Sequence, residues 1–145
     1  MAAHYIGIAV GDAKHELHMT VAFNKAMDAA TIEKVKVELE RVAPSLLPLT
    51  LTLDTKPTMF GDNNDIRVLL VTEIDPAKRA ILERLHKEFA NEGRGKQTLH
   101  VSTHKLSVAT HAELEGATLT GGEIYLSTVG RAARYVHRVG PITLH

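Results

Sequence analysis

The sequence predicts an α+β fold in which two similar halves, each with short strands and one helix, surround a shared sheet or cleft. Three observations carry this. Short runs with alternating or continuous apolar residues read as strands, two longer segments repeat their apolar residues at helical spacing, and the elements follow the order β-β-α-β-β, then α-β-β-β. No low-complexity linker divides the halves, so residues 1–145 are read as a single domain of two α+β lobes. A chain of 145 residues can bury about two thirds of its unfolded surface, so it needs neither disulfides nor a structural metal to fold, and it contains no cysteine.

Taken in order, Tyr5 to Val10 and Glu16 to Phe23 are strand-like runs separated by Gly11-Asp12, a pair suited to a turn. Ile32, Val35, Leu39 and Val42 then form one apolar stripe on a helix, with Asp28 or Thr31 to cap its start and Pro44 just past its end. Leu47 to Asp54 alternates as a strand, which Lys56-Pro57 breaks. Phe60 to Asp65 is rich in turn formers and reads as a loop, and Ile66 to Val71 reads as a mostly apolar strand. Asp75-Pro76 joins an N-cap to the residue best tolerated in a first turn, and a helix with Ile81, Leu82, Leu85 and Phe89 on its apolar face runs towards Gly93. Thr98 to His104 alternates as a strand. Gly116 to Thr128 and Ala133 to Leu144 are two more, the first interrupted by a bulge or turn at Gly121-Gly122.

Composition narrows function. Lys and Arg number 17 against 17 Asp and Glu, and the isoelectric point is about 7.1, which argues against an affinity built on neutralising many phosphates of a long duplex nucleic acid. A small phosphorylated ligand stays open. Apolar stretches are broken by charge well short of the ~20 residues of a membrane span, and the first residues lack a basic region followed by an apolar core, so a soluble, unexported, cytoplasmic protein is expected. Nine histidines in a chain with three Phe, three Tyr and no Trp call for an explanation.

The informative pair is His18-Met19-Thr20-Val21 and His100-Val101-Ser102-Thr103, each inside a strand-like run. Side chains alternate along a strand, so His18 and Thr20 share one face about 7 Å apart, with Met19 and Val21 on the other. His100 and Ser102 repeat the pattern. If the two strands lie side by side, two imidazoles and two hydroxyls line one surface with no carboxylate among them, which suits a phosphodiester. One neutral imidazole can take a proton from an attacking hydroxyl or water, the other as imidazolium can protonate the leaving oxygen, and Thr20 and Ser102 can donate hydrogen bonds to phosphate oxygens.

These two motifs resemble those of the 2H phosphoesterase superfamily, named for its paired His-apolar-Thr/Ser-apolar motifs and including bacterial RNA ligase-like 2',3'-cyclic phosphodiesterases and small phage-encoded relatives. The separation of positions 18 and 100 is similar to the family's, and the likeness extends over about the first 105 residues: an opening strand at Tyr5 to Val10, a helix after the first motif, a Phe60-Gly61 loop before the strand at 67–70, and a helix leading into the second motif. Two departures stand out. Position 103 is Thr where the family has an apolar residue, and Leu99 replaces the proline often found before the second His. The resemblance implies a bilobal fold with antiparallel sheets lining a central cleft and helices outside. It also implies metal-independent, cofactor-free cleavage or formation of a phosphodiester involving a ribose 2'-hydroxyl or a cyclic phosphate, with His18 and His100 catalytic.

Around this core, Tyr5 can stack on a base or half-bury its ring in the strand, Phe60 can wall a base pocket or anchor its loop, and His104 with Lys105 can meet phosphate or face solvent. Arg67 is read as a solvated strand charge in preference to a substrate ligand, and His4, His15, His86, His111, His137 and His145 as surface residues. The expected partner is a small nucleotide or short oligonucleotide: a 2',3'-cyclic phosphate, a 2'-5' linkage or a cyclic oligonucleotide. So few aromatics favour a single-base substrate. Two rival readings remain: a His-ligated metal hydrolase drawing on His15-x-x-His18 and His100-x-x-x-His104, and a non-catalytic nucleotide or RNA binding module of the same fold.

Overall fold

The structure, a computed structural model, describes residues 2–10, 17–60, 66–91, 98–103, 112–130 and 133–140. Its elements are β1 (Ala2–Val10), β2 (Leu17–Met27), α1 (Ala29–Leu46), β3 (Leu49–Leu53), β4 (Thr58–Phe60), β5 (Ile66–Ile74), α2 (Pro76–Phe89), β6 (His100–Ser102), β7 (Thr118–Thr128) and β8 (Tyr135–Val139). The α+β class and the element order agree with the sequence, with one addition: β4 carries Phe60 as its last residue, where the sequence reads as a loop. It forms because Phe60 pairs with Ile66 and Met59 with Arg67 on β5.

All strands join one antiparallel sheet, in the order β1-β2-β6-β5-β3-β7-β8 with β4 on β5. β1 also pairs with β7, so the path returns on itself and the sheet closes like a barrel. The long strand β7 makes this possible. Gly121 pairs with Val10 of β1 along one edge and with Leu49 of β3 along the other, and further on that second edge takes β8 from Ile124 to Ser127. The expected irregularity at Gly121-Gly122 is a shift in register within a continuous strand, since Ala9 opposes Glu123 and Val10 opposes Gly121. A β-carbon on Gly121 would meet the Ala9 carbonyl oxygen at 2.8 Å, which is why glycine stands there.

Alternation sends Ile6, Ile8 and Val10, Met19 and Val21, Leu49, Leu51 and Leu53, Leu69 and Val71, Val101, and Ile124 and Leu126 into one buried cluster. The helices cover it with Val35, Leu39, Val42 and Leu46 from α1 and Leu82, Leu85 and Phe89 from α2. Asp28 caps α1, its carboxylate accepting from the Thr31 N–H at 2.7 Å, and Asp75 caps α2. Helix α1 continues over Pro44, which the sequence places just beyond its end. Proline there forfeits one hydrogen bond of the last turn, while the continued turn buries Leu46 completely. The end of α2 is tied to β2: Asn24 Nδ2 donates to the Phe89 carbonyl at 2.9 Å, and the Asn91 N–H donates to the Phe23 carbonyl at 3.1 Å. Among the described residues, no helix is long and apolar enough to cross a membrane.

Candidate active site

β2 and β6 lie side by side, bridged at Met19 and Val101, both fully buried. Because the pair is antiparallel, His18 falls opposite Ser102 and Thr20 opposite His100. The four side chains point away from the core, His18 and Ser102 exposed, Thr20 and His100 half-buried. Directly opposed side chains in such a ladder start about 5 Å apart and diagonal ones about 7–8 Å apart. The two imidazoles are therefore on one diagonal of a square and the two hydroxyls on the other, with room between them for a phosphoryl group.

The same face continues beyond this square. Val68 next to Ser102, and Tyr125 and Glu123 across β1, belong to this face and not to the hydrophobic cluster, yet all three are buried. Each imidazole has an aromatic neighbour. The Tyr5 ring lies 5.3 Å from His18, tilted by 37°, and the Phe60 ring stands edge-on to His100 at 4.9 Å. His100 Nδ1 is 2.9 Å from the Thr98 carbonyl oxygen. A carbonyl only accepts, so Nδ1 carries a proton and donates it there, which leaves Nε2 as the nitrogen able to exchange a proton with a ligand.

The second motif's departure at position 103 has a structural explanation. Thr103 is fully buried like the apolar residue it replaces, and both its N–H (2.8 Å) and its hydroxyl (3.1 Å) donate to the Arg67 carbonyl. Its polarity is thus satisfied at the strand end. Leu99 is buried as well, and its carbonyl accepts from the Val71 N–H at 3.0 Å.

Four residues that the sequence reading left out share this face: Glu123 and Tyr125 on β7, and Tyr135 and Arg138 on β8. Tyr125 lies over Gly7, whose missing side chain it needs, since a β-carbon there would meet the Tyr125 hydroxyl at 2.8 Å and the Tyr5 ring at 2.9 Å. The Tyr5 and Tyr125 hydroxyls are 3.3 Å apart. Burial, reinforced by the Tyr5 hydroxyl, pushes the Tyr125 phenol well above its ordinary range. Arg138 Nε and Nη2 donate to the two Glu123 carboxylate oxygens at 3.1 and 2.9 Å, a bidentate pair that raises the guanidinium's own pKa. The signal was present in the alternation of Glu123, Tyr125 and Ser127 against Ile124 and Leu126.

Other expectations fare differently. His104 and Lys105 lie outside the described residues, as do His15, His111 and His145. His4, expected at the surface, is buried at 5% exposure with Nδ1 2.8 Å from the Ala2 carbonyl, because it alternates onto the core face of β1 with Ile6 and Ile8. His137 meets Glu40 at 3.0 Å. Among the described residues, no group of three or more His, Asp or Glu is placed to hold a metal ion.

No family model matches the sequence, and no curated protein matches it. Solved structures do match in fold. A crystal structure described as a phosphoesterase superposes with TM-score 0.60 at 17% identity, covering 96% of this chain and 98% of that one. E. coli LigT crystallised with 3'-AMP gives TM-score 0.65 at 16% identity, covering 95% and 97%, and apo LigT gives 0.58 at 20% identity, covering 95% and 96%. The fold is therefore that of the phosphoesterases of this architecture. More particularly, it is the 2H phosphoesterase-like fold of LigT that the two motifs led one to expect.

Proposed function

We propose that this chain is a phosphodiesterase of the two-histidine type, acting on a cyclic or 2'-linked phosphodiester of a nucleotide or short oligonucleotide. The observation that carries the reading is the Met19–Val101 bridge, which sets His18, Thr20, His100 and Ser102 together on one exposed face although 82 residues part the motifs (100 − 18). The phosphoesterase-like fold supports it, as does the 3'-AMP in one LigT structure.

In this mechanism the phosphate sits between the imidazoles. Thr20 and Ser102 donate to its non-bridging oxygens and stabilise the charge that builds on them. One imidazole, neutral, takes the proton of the attacking water as its oxygen bonds to phosphorus. The other, as imidazolium, gives its proton to the ribose oxygen whose bond to phosphorus breaks. The two side chains end with their protonation states exchanged, and proton exchange with solvent restores them before the next turnover. His100 has its Nδ1–H committed to Thr98, so its part is played by Nε2. The reaction as written draws on no metal or cofactor, and the paired roles give a bell-shaped dependence of rate on pH.

The test is chromatographic product analysis of 2',3'-cyclic nucleotides, 2'-5' linked dinucleotides and cyclic dinucleotides incubated with the protein and with His18→Ala, chelator present. Turnover that survives the chelator and falls about 10²- to 10⁴-fold in the variant is expected. Turnover abolished by chelator and restored by added zinc would replace this mechanism with a metal-dependent one. A folded protein that binds these compounds without turnover would make it a binding module.

A further inference from the structure

The chain has only three Tyr, three Phe and no Trp, and four of these six rings gather on the histidine face. Phe60 stands at His100 on one side. On the other a row runs outward from His18: Tyr5 at 5.3 Å, Tyr125 at 5.7 Å from Tyr5, Tyr135 at 4.9 Å from Tyr125, and the Arg138 guanidinium 4.3 Å above the Tyr135 ring.

The members of the row offer different surfaces to a ligand. Tyr125 is only 3% exposed, enclosed by Tyr5, Tyr135 and the backbone of Gly7, so it braces its neighbours and cannot stack on anything further. Tyr135 is 55% exposed and the Arg138 side chain 51%. Both are nonetheless held in place, the ring against Tyr125 and the guanidinium by its two bonds to Glu123, itself nearly buried. A planar pair that is exposed yet already ordered loses little entropy when a flat ligand stacks on it. Glu123 balances the arginine's charge, which suits the pair to an uncharged base more than to a phosphate. Nucleic-acid bases stack on aromatic rings and on guanidinium planes alike.

Position then sets the substrate. Tyr135 and Arg138 on β8 are separated from His18 on β2 by β7 and β1, three inter-strand spacings or about 14 Å along the sheet. That is beyond the base of a nucleoside whose own phosphate lies between His18 and His100, and within reach of the next nucleoside along a chain or ring. On the way, Tyr5 and Tyr125 fill the space over Gly7, and Ala9 is the small residue that β1 presents beside His18.

We infer that the Tyr135–Arg138 pair is the stacking platform for a second base, and that the substrate is an oligonucleotide, linear or cyclic, of two or more nucleosides with its scissile phosphate at the histidine pair. This rests on the two-histidine reading and departs from the single-base substrate that the scarcity of aromatics favours.

The experiment compares kcat/KM for a 2',3'-cyclic mononucleotide, a 2'-5' linked dinucleotide and a cyclic dinucleotide in the native protein, Tyr135→Ala, Tyr135→Phe and Arg138→Ala. In Tyr135→Ala the ratio of dinucleotide to mononucleotide kcat/KM falls about 5- to 100-fold, through KM, since one base stacked on a side chain contributes on that scale. Tyr135→Phe, which keeps the ring, retains the ratio. A fall confined to the linear or to the cyclic dinucleotide says which of the two the platform serves. An unchanged ratio with both dinucleotides overturns the platform and leaves the two-histidine chemistry standing. Calorimetric binding of the same dinucleotides to His100→Ala, with and without Tyr135→Ala, reads the platform without turnover. Weaker binding on loss of Tyr135, in a protein whose native form turns nothing over, sustains the platform and overturns the enzyme. Equal binding overturns the platform itself.

Discussion

The two histidine motifs present the same pattern on the same face, but the strands beneath them are built differently. β2 has 11 residues, pairs with β1 from Leu17 to Met27, and is fastened to the end of α2 through Asn24 and Asn91. β6 has three residues, a single bridge to β2, and pairs with β5 only from Val68 to Leu70. Its neighbours extend that hold, Leu99 through its carbonyl on Val71 and Thr103 through two bonds to Arg67. One half of the candidate centre is thus part of the sheet's most extensive hairpin, and the other, among the described residues, is held by a few bonds at each end. Damage under β2 should therefore show first as lost stability, and damage under β6 as lost activity in a protein still folded.

The comparison can be broken most decisively at the histidines. His18→Ala and His100→Ala should each lower turnover about 10²- to 10⁴-fold, since the proposed mechanism gives each group a proton to move whatever strand bears it. A variant of either that loses less than tenfold, in steady-state assays on the product-yielding substrate, would undo the equivalence of the motifs. Beneath them, Met19→Ala should cost about 2–5 kcal/mol of stability, as a fully buried methionine cut to a methyl leaves a cavity. Val101→Ala should cost about 1.5–3 kcal/mol, and its folded fraction should be the less active of the two. Denaturant titration together with turnover per folded molecule separates these effects, and the reverse ranking of activity would mean that β6 is the firmer strand.

Thr103→Val sharpens the comparison at the end of β6. The hydroxyl bond to Arg67 is lost while the backbone bond to the same carbonyl remains, so stability should drop by no more than about 1 kcal/mol, measured by thermal unfolding. The smallest effect concerns Tyr125. Its phenol is raised above the ordinary 10.0, by burial first and the Tyr5 hydroxyl second, so the folded protein keeps the proton that the unfolded chain releases. The stability tied to this group is complete below about pH 10 and declines as pH rises beyond it, and Tyr125→Phe should lessen that decline in unfolding curves taken across the alkaline range.

Local patterns made much of this legible. The caps Asp28 and Asp75, the α1 stripe of Val35, Leu39 and Val42, and the alternation of His18 and Thr20 against Met19 and Val21 are all properties of neighbouring residues. The exit of α1 was not, because whether a helix ends at Pro44 depends on how much Leu46 gains from burial. Nor was β4, a strand that exists only because β5 has an open edge at Arg67. His4 reads as a polar residue near a strand's start, yet it takes the core face of β1 with Ile6 and Ile8 and is buried there. The row of tyrosines was the largest omission. Tyr5 is 120 positions from Tyr125 in sequence, and only the β1–β7 and β7–β8 pairings bring Tyr5, Tyr125 and Tyr135 into line.

The closing of the sheet also sets an order in time. β1, next to the first histidine motif, has β2 on one edge and needs β7, more than a hundred residues later, on the other. Strand pairings of such long sequence separation form late, because a large loop must close before any of their contacts are made. On a ribosome, the hairpin that bears His18 can form early, but one edge of β1 stays unpaired, and open to other chains, until residues 118–128 have emerged.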